Sequence, residues 1–279
     1  MTISISERGR AARMARWLGD IGSFVWSGWT GVAALALIAA VWQWGHEVFG
    51  DFVLPSPAIV AMHVVSIVTD DANFHTIVAT ARRALAGLAL SLAIGGGLGM
   101  LCGYSPASMR VARPVVTVLI GVPPIAWIVV AMIWFGSTDI TIVATVVTAA
   151  APLLFVGTSE GVVGRDRGLE DMAQIFGAGP LARFAGIGLR QVLPAPFPAL
   201  KMASGTAFKV AVMAELLTNA GGIGSALADA RATLDVGEAL AWIVIAVSVL
   251  LCVEYGLIHP VRSELERWRR AALPWGVKR

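Results

Sequence analysis

The sequence predicts an all-α polytopic membrane protein with about six transmembrane helices, and three observations carry that prediction. Of 279 residues, 57% are hydrophobic and only 14% charged, with a mean hydropathy of +0.77, far from the balance of a soluble domain. Apolar runs of about 20 residues, the length that crosses a bilayer, recur along the chain. The arginines gather beside those runs on alternate connections, as expected where positive charge stays on the cytoplasmic side. A basic stripe of the kind that binds nucleic acid does not form. Cys102 and Cys252 each sit in an apolar run, so neither a disulfide framework nor a cysteine metal site organises the chain.

The apolar segments lie near 24–45, 75–103, 114–136, 140–163, 201–219 and 238–259. Residues 1–23 carry Arg8, Arg10, Arg13 and Arg16. They look like the first part of a secretory signal, but no convincing cleavage pattern follows and more spans do, so they read as a retained cytoplasmic leader. Residues 24–73 hold the first span and a periplasmic segment, in which Leu54-Pro55-Ser56-Pro57 opens a short amphipathic helix. Residues 74–260 form a core of five spans with a cytoplasmic connection at 164–200, and 261–279 a basic cytoplasmic tail. Further outward loops are expected at Gly136 to Asp139 and Asn219 to Gly237. With the N-terminus inside, the inner flanks hold Arg110, Arg113, Arg165, Arg167, Arg183 and Arg190, while the outer loops are rich in Asp and Glu and carry Arg231 as their clear base. Both termini are therefore expected in the cytoplasm.

The spans are not plain anchors. Pro123-Pro124 interrupts the third and Pro152 the fourth, each proline removing a helix hydrogen bond. In the second span Gly95, Gly99 and Gly103 recur every fourth residue, a face on which another helix backbone can approach closely. A nucleotide-binding glycine loop is the sharper reading of this cluster, but no strand precedes it and no Gly-Lys-Ser/Thr follows. His46, His63, His75 and His259 are scattered without metal-type spacing, and no Gly-x-Ser-x-Gly elbow surrounds a serine. No catalytic residue and no resident cofactor or metal is expected.

The connection at 164–200 is about one and a half times as long as a span and too polar to cross. Its first half reads as a short helix with Met172, Ile175 and Phe176 on one edge, stopped by Gly177. Gly179-Pro180 opens a second helix towards Arg190, and Leu193-Pro194 with Pro196 and Pro198 turns the chain back into the membrane. An apolar edge held outside the bilayer suits either a partner's groove or the bilayer surface, and the pattern alone leaves both open. At membrane depth lie Arg82, Arg83, Lys209 and Glu215. The two arginines either snorkel to headgroups or face a pathway. Lys209 and Glu215 are turned about 240° apart, so each needs a partner on another helix or in a channel.

Asp171-Met172-Ala173, then Gly177, then Leu193-Pro194 resembles the EAA loop of importer permeases. With Leu54-Pro55-Ser56-Pro57, Arg113-Pro114, Val122-Pro123-Pro124-Ile125-Ala126-Trp127, Ile133-Trp134-Phe135-Gly136, Ala214-Glu215-Leu216 and Gly222-Ile223-Gly224, the chain resembles ATP-binding-cassette importer permeases of the nitrate/sulfonate/taurine branch over most of 54–260. Two features depart from that pattern. Asp171 and Met172 stand where Glu and Ala are usual, and the Leu-Pro comes about four residues later, roughly one helical turn.

The resemblance implies the type I importer permease (MetI-like) fold in a bacterial inner membrane. It also implies a homodimer, two cytoplasmic ATP-binding subunits that hold the ATP and magnesium, and a periplasmic solute-binding protein. Asp171, Met172, Ala173, Ile175, Phe176 and Gly177 become the coupling contact. Lys209 and Glu215 match a basic position and a glutamate of the family pattern. Lys209 with Arg82 or Arg83 would then line the path of a small anion, and a structural ion pair is an equal reading for Glu215. The rival reading is a secondary transporter driven by an ion gradient through Glu215 and Lys209, a class that usually shows paired repeats.

Overall fold

A computed structural model describes residues 31–258, so the basic leader at 1–23, the start of the first apolar segment, His259 and the basic tail at 261–279 lie outside the described residues. The described residues divide into two compact units at Met62 and His63. Regular structure in both is helical, with no strand among the described residues.

In the first unit the apolar helix α1 (Gly31–Phe49) is long enough to cross a bilayer. The turn after it folds back on the helix: the Trp42 indole donates to the Pro55 carbonyl at 3.0 Å, and His46 Nδ1 lies 2.9 Å from the Leu54 carbonyl. Helix α2 (Pro57–Thr69) then starts with proline in its first turn, where the missing N–H is not needed. It was expected to be amphipathic, and it is mainly apolar, with His63, Ser66 and Thr69 as its polar residues. Its Ser66 and Thr69 hydroxyls donate to carbonyls of their own helix.

The second unit is built on α3 (Asp71–Tyr104), a continuous helix of 34 residues with a π-helical stretch at Leu92–Gly96. Asp70 caps its start by accepting from the Ala72 N–H. Ser105 caps α4 (Pro106–Gly121), which is followed by α5 (Pro124–Phe135) at an angle of 94°. The segment expected as one span at 114–136 is thus a sharply broken pair. Val122 and Pro123 have ψ of 126° and 138°, since a residue before proline is driven out of the helical region. Helix α6 (Asp139–Val163) instead stays continuous around a buried Pro152.

Next come α7 (Arg167–Ile175) and α8, residues 180–192, which contains a π-helical stretch at Phe184–Gly188. Helix α9 (Pro196–Thr218) bends by 49° into α10 (Ile223–Ala232), and α11 (Val236–Gly256) closes the described chain. Most of the loop expected at Asn219 to Gly237 is therefore helix. Ile223 and Ala230, one face of α10, are buried, and that packing favours a helix over a solvated loop. Among the described residues four helices are long and apolar enough to cross a membrane, and six spans result if each bent pair counts as one.

Small residues determine how these helices meet. A Cβ added at Gly95 or Gly99 would overlap the backbone of Ala151 or Phe155, and one at Gly103 would overlap Val162. The order of these contacts shows α3 and α6 running parallel in close backbone contact, the approach that small residues allow. Gly157 faces Ala199 and Gly161 faces Ala195, so α9 runs antiparallel to α6. Between them Ile142, Val146, Leu154, Ala203, Ala207 and Phe208 form the centre of a core completed by Leu88 of α3 and Ile128 of α5.

Candidate functional site

Helix α7 is defined by its ends. Asp166 caps it through the Gly168 N–H at 2.8 Å, and Gly177, with φ of +82°, terminates it in a conformation that side chains other than glycine rarely adopt. The helix buries none of its residues, which is unusual for an amphipathic helix attached to a packed body. Its polar side makes the attachment. Glu170 accepts from Arg165 Nε at 3.0 Å, and Gln174, one turn on, accepts from the Arg183 guanidinium of α8. The opposite side holds Leu169, Met172, Ile175 and Phe176, with Ile175 84% and Phe176 83% exposed. Leu181 of α8, also exposed, extends the same kind of surface. Asp171 is exposed at the side of this face and Ala173 is half-buried.

The expected second helix starts at Pro180 as the Gly179-Pro180 pair predicts. Gln191 near its end accepts from the Asp166 N–H at 2.7 Å, which ties α8 to the start of α7. The turn at residues 193–195 then returns the chain into α9.

A second polar locus lies at the opposite end of α3 and α6. Glu215 of α9 is 0% exposed and Arg83 of α3 has 8% of its side chain exposed. Their Oε1 and Nη1 atoms are 2.8 Å apart. Arg83 also donates to the Ala220 carbonyl at 3.0 Å, to the Gly221 carbonyl, and through Nε to Asp139 at 2.9 Å. Glu215 Oε2 accepts from Thr80 at 2.8 Å and from the Gly224 N–H at 3.1 Å, while Thr80 accepts from the Ile223 N–H. A buried ion pair persists only where its remaining hydrogen-bonding capacity is filled in this way. Arg82 pairs at 3.0 Å with Oδ2 of the same Asp139 carboxylate.

The four charges singled out in the sequence therefore separate. Arg82 and Arg83 meet at Asp139, Arg83 and Glu215 form the buried pair, and Lys209 stands apart on α9. Lys209 is exposed and has no hydrogen bond or ion pair to another described residue. It borders a cavity of about 340 Å³ whose other walls are side chains such as Phe208, Met213, Trp242 and Val247. Sequence reasoning missed Asp139 and Thr80 as partners, because both lie more than fifty residues from the groups they bind. It also missed Arg165, Glu170, Gln174 and Arg183 as anchors of α7. Arg165 and Arg183 were read only as markers of membrane orientation, and Glu170 and Gln174 were given no role.

Comparison with known proteins adds a consistent picture. The family of binding-protein-dependent transport system inner membrane components matches residues 95–259, more than half of the chain. A putative aliphatic sulfonates transport permease of Bacillus subtilis is 24% identical over 247 residues, 88% of this chain and 89% of the relative. Its counterpart in Escherichia coli is 26% identical, covering 82% and 85%. A nitrate import permease of Leptolyngbya laminosa is 31% identical over 163 residues, 58% of each chain.

Proposed function

The chain belongs to the family of binding-protein-dependent transport system inner membrane components, and from that premise we propose that it imports a small anion using ATP hydrolysed on a subunit docked against α7. Members of this family are channel subunits of ATP-binding-cassette transporters and not enzymes, with the ATPase on a separate chain. The multi-pass helical architecture, with up to six spans, is that of the family's inner-membrane subunits.

One observation carries the docking proposal: α7 is held to the body by its polar side and presents its apolar side outward. An exposed amphipathic helix of this length is the form that a hydrophobic groove accepts. Asp171, Met172, Ala173, Ile175, Phe176 and Gly177 make up the contact, and the ATPase supplies the groove. The complex contains two copies of the permease, two ATP-binding subunits and a periplasmic solute-binding protein, with both permease termini in the cytoplasm. Closure of the ATPases on ATP moves the two α7 helices as levers, and the spans pass from inward-open to outward-open.

The relatives carry names for sulfonate and nitrate transport, and both solutes are anions. Of the bases expected to line the path, Arg82 and Arg83 are each neutralised by an acidic partner, which leaves Lys209 with a positive charge to offer. The test uses proteoliposomes that contain the permease, its ATPase and its binding protein, supplied with nitrate or an alkanesulfonate. Uptake is expected to require ATP and to survive collapse of ion gradients, and Lys209→Met is expected to lower it by at least about fivefold. Uptake that runs on an ion gradient without ATP would replace this proposal with a secondary transporter. Normal uptake by Lys209→Met would remove Lys209 from the path.

A further inference from the structure

Helix α7 buries no side chain, so ordinary apolar packing cannot carry force from it into the membrane helices. Its polar contacts can do so: Gln174 and Asp166 tie it to α8, and Arg165, the residue that follows the end of α6 by two positions, ties it to the membrane helices themselves. Its Nε bonds Glu170 of α7 at 3.0 Å, and Nη1 donates to the Val162 carbonyl of α6 at 2.8 Å. The guanidinium carbon lies 4.3 Å above the ring of Tyr104, the last residue of α3. Only 10% of the Arg165 side chain is exposed and 23% of the Glu170 side chain.

The Tyr104 ring in turn packs against Phe184 of α8, with centroids 6.0 Å apart. Gly188 of α8 completes the arrangement: a Cβ there would lie 3.0 Å from the Tyr104 hydroxyl and 3.3 Å from Glu170 Oε1. One guanidinium thus touches α3, α6 and α7 at once. Its planar fork can hold a carboxylate at its edge and an aromatic ring against its face together, which a lysine ammonium cannot. In a partly desolvated site both contacts are stronger than at an open surface.

We propose that Arg165 is a positioning residue that joins α7 to the inner ends of α3 and α6, with Glu170 and Tyr104 as its two sockets, so that α7 displaced by the ATPase drags those spans with it. The proposal rests on the docking reading of α7 and adds the route by which the motion leaves it. Severing the joint leaves the docking face of α7 intact. Hydrolysis then continues while transport slips, and the quantity that changes is solute moved per ATP consumed.

The complete transporter in proteoliposomes provides the test, with hydrolysis and uptake measured in parallel. Arg165→Met is expected to lower uptake per ATP by about tenfold, with hydrolysis within about twofold of normal. Arg165→Lys, which keeps the charge and loses the fork, is expected to fall between. Tyr104→Phe keeps the ring and should couple normally, whereas Tyr104→Leu should uncouple. If Arg165→Met fails to assemble, the Tyr104 pair decides. A normal uptake-to-hydrolysis ratio in Arg165→Met, or equal ratios in the two Tyr104 variants, overturns the joint. The docking reading has its own control, a cysteine at Ile175 crosslinked to the ATPase in otherwise unaltered permease. Absence of that crosslink sinks the docking reading and the joint together, whereas a crosslink with unchanged ratios sinks the joint alone.

Discussion

Arg83 and Glu215 illustrate what a buried charge demands of its neighbours. The pair is enclosed, and the donors and acceptors around it come from α3, α6, α9 and the turn before α10. Removing one partner strands the other, which costs about 3–5 kcal/mol in buried pairs. Arg83→Met is therefore expected to lower the thermal unfolding temperature of the purified permease more than Arg82→Met, whose side chain is 70% exposed. Exchanging the two residues should not rescue stability, because an arginine at 215 would face the Gly224 N–H and a glutamate at 83 would face the Ala220 carbonyl. Equal unfolding temperatures for the two single variants would contradict this account. From sequence, these positions were recognisable as charges that need partners. Their sorting into a network of Arg82, Arg83 and Glu215 joined through Asp139, with Lys209 apart from it, was not legible, since it depends on which helices adjoin and not on spacing within one helix.

Individual elements were legible to the extent that their signals are local. The end of α7 follows from Gly177 and the start of α8 from Gly179-Pro180, because caps and prolines act on their own backbone, whereas the Asp166 cap at the start of α7, an equally local signal, was not read. The direction of α5 was not legible, since Pro123-Pro124 shows that helix bonds are missing and is silent on the 94° turn that results. Two predictions belong to this scale. Gly95→Val would drive a side chain into the Ala151 backbone and is expected to prevent a stable α3 and α6 pairing, whereas Gly97→Ala has open space at its Cβ and should be tolerated. Recovery of folded protein by gel filtration checks the pair, with monodisperse Gly95→Val as the adverse result. At Gly177 there is also open space, but φ is +82°, so valine there costs about 1–3 kcal/mol of strain unless α7 moves. Gly177→Val is expected to insert in membranes normally while losing transport-coupled ATPase activity, and full coupling would count against the loop assignment.

At the scale of the whole molecule, the sequence signal was strongest for the solvent and the family, because hydropathy and the order of motifs are spread over the chain and survive local changes. It was weaker for the sides of α7, where an apolar edge suited a partner's groove and left the bilayer surface as an alternative. The attachment of that helix through Glu170 and Gln174 identifies the side turned away from the body. An importer permease without nucleotide chemistry of its own must receive force through a surface, and α7 is the surface proposed. Cysteines placed singly at Met172, Ile175, Phe176 and Gln174 in the assembled transporter, followed by crosslinking, test this most directly. The account predicts adducts with the ATPase from the first three positions and little from Gln174, and ATPase adducts from none of the three would contradict it.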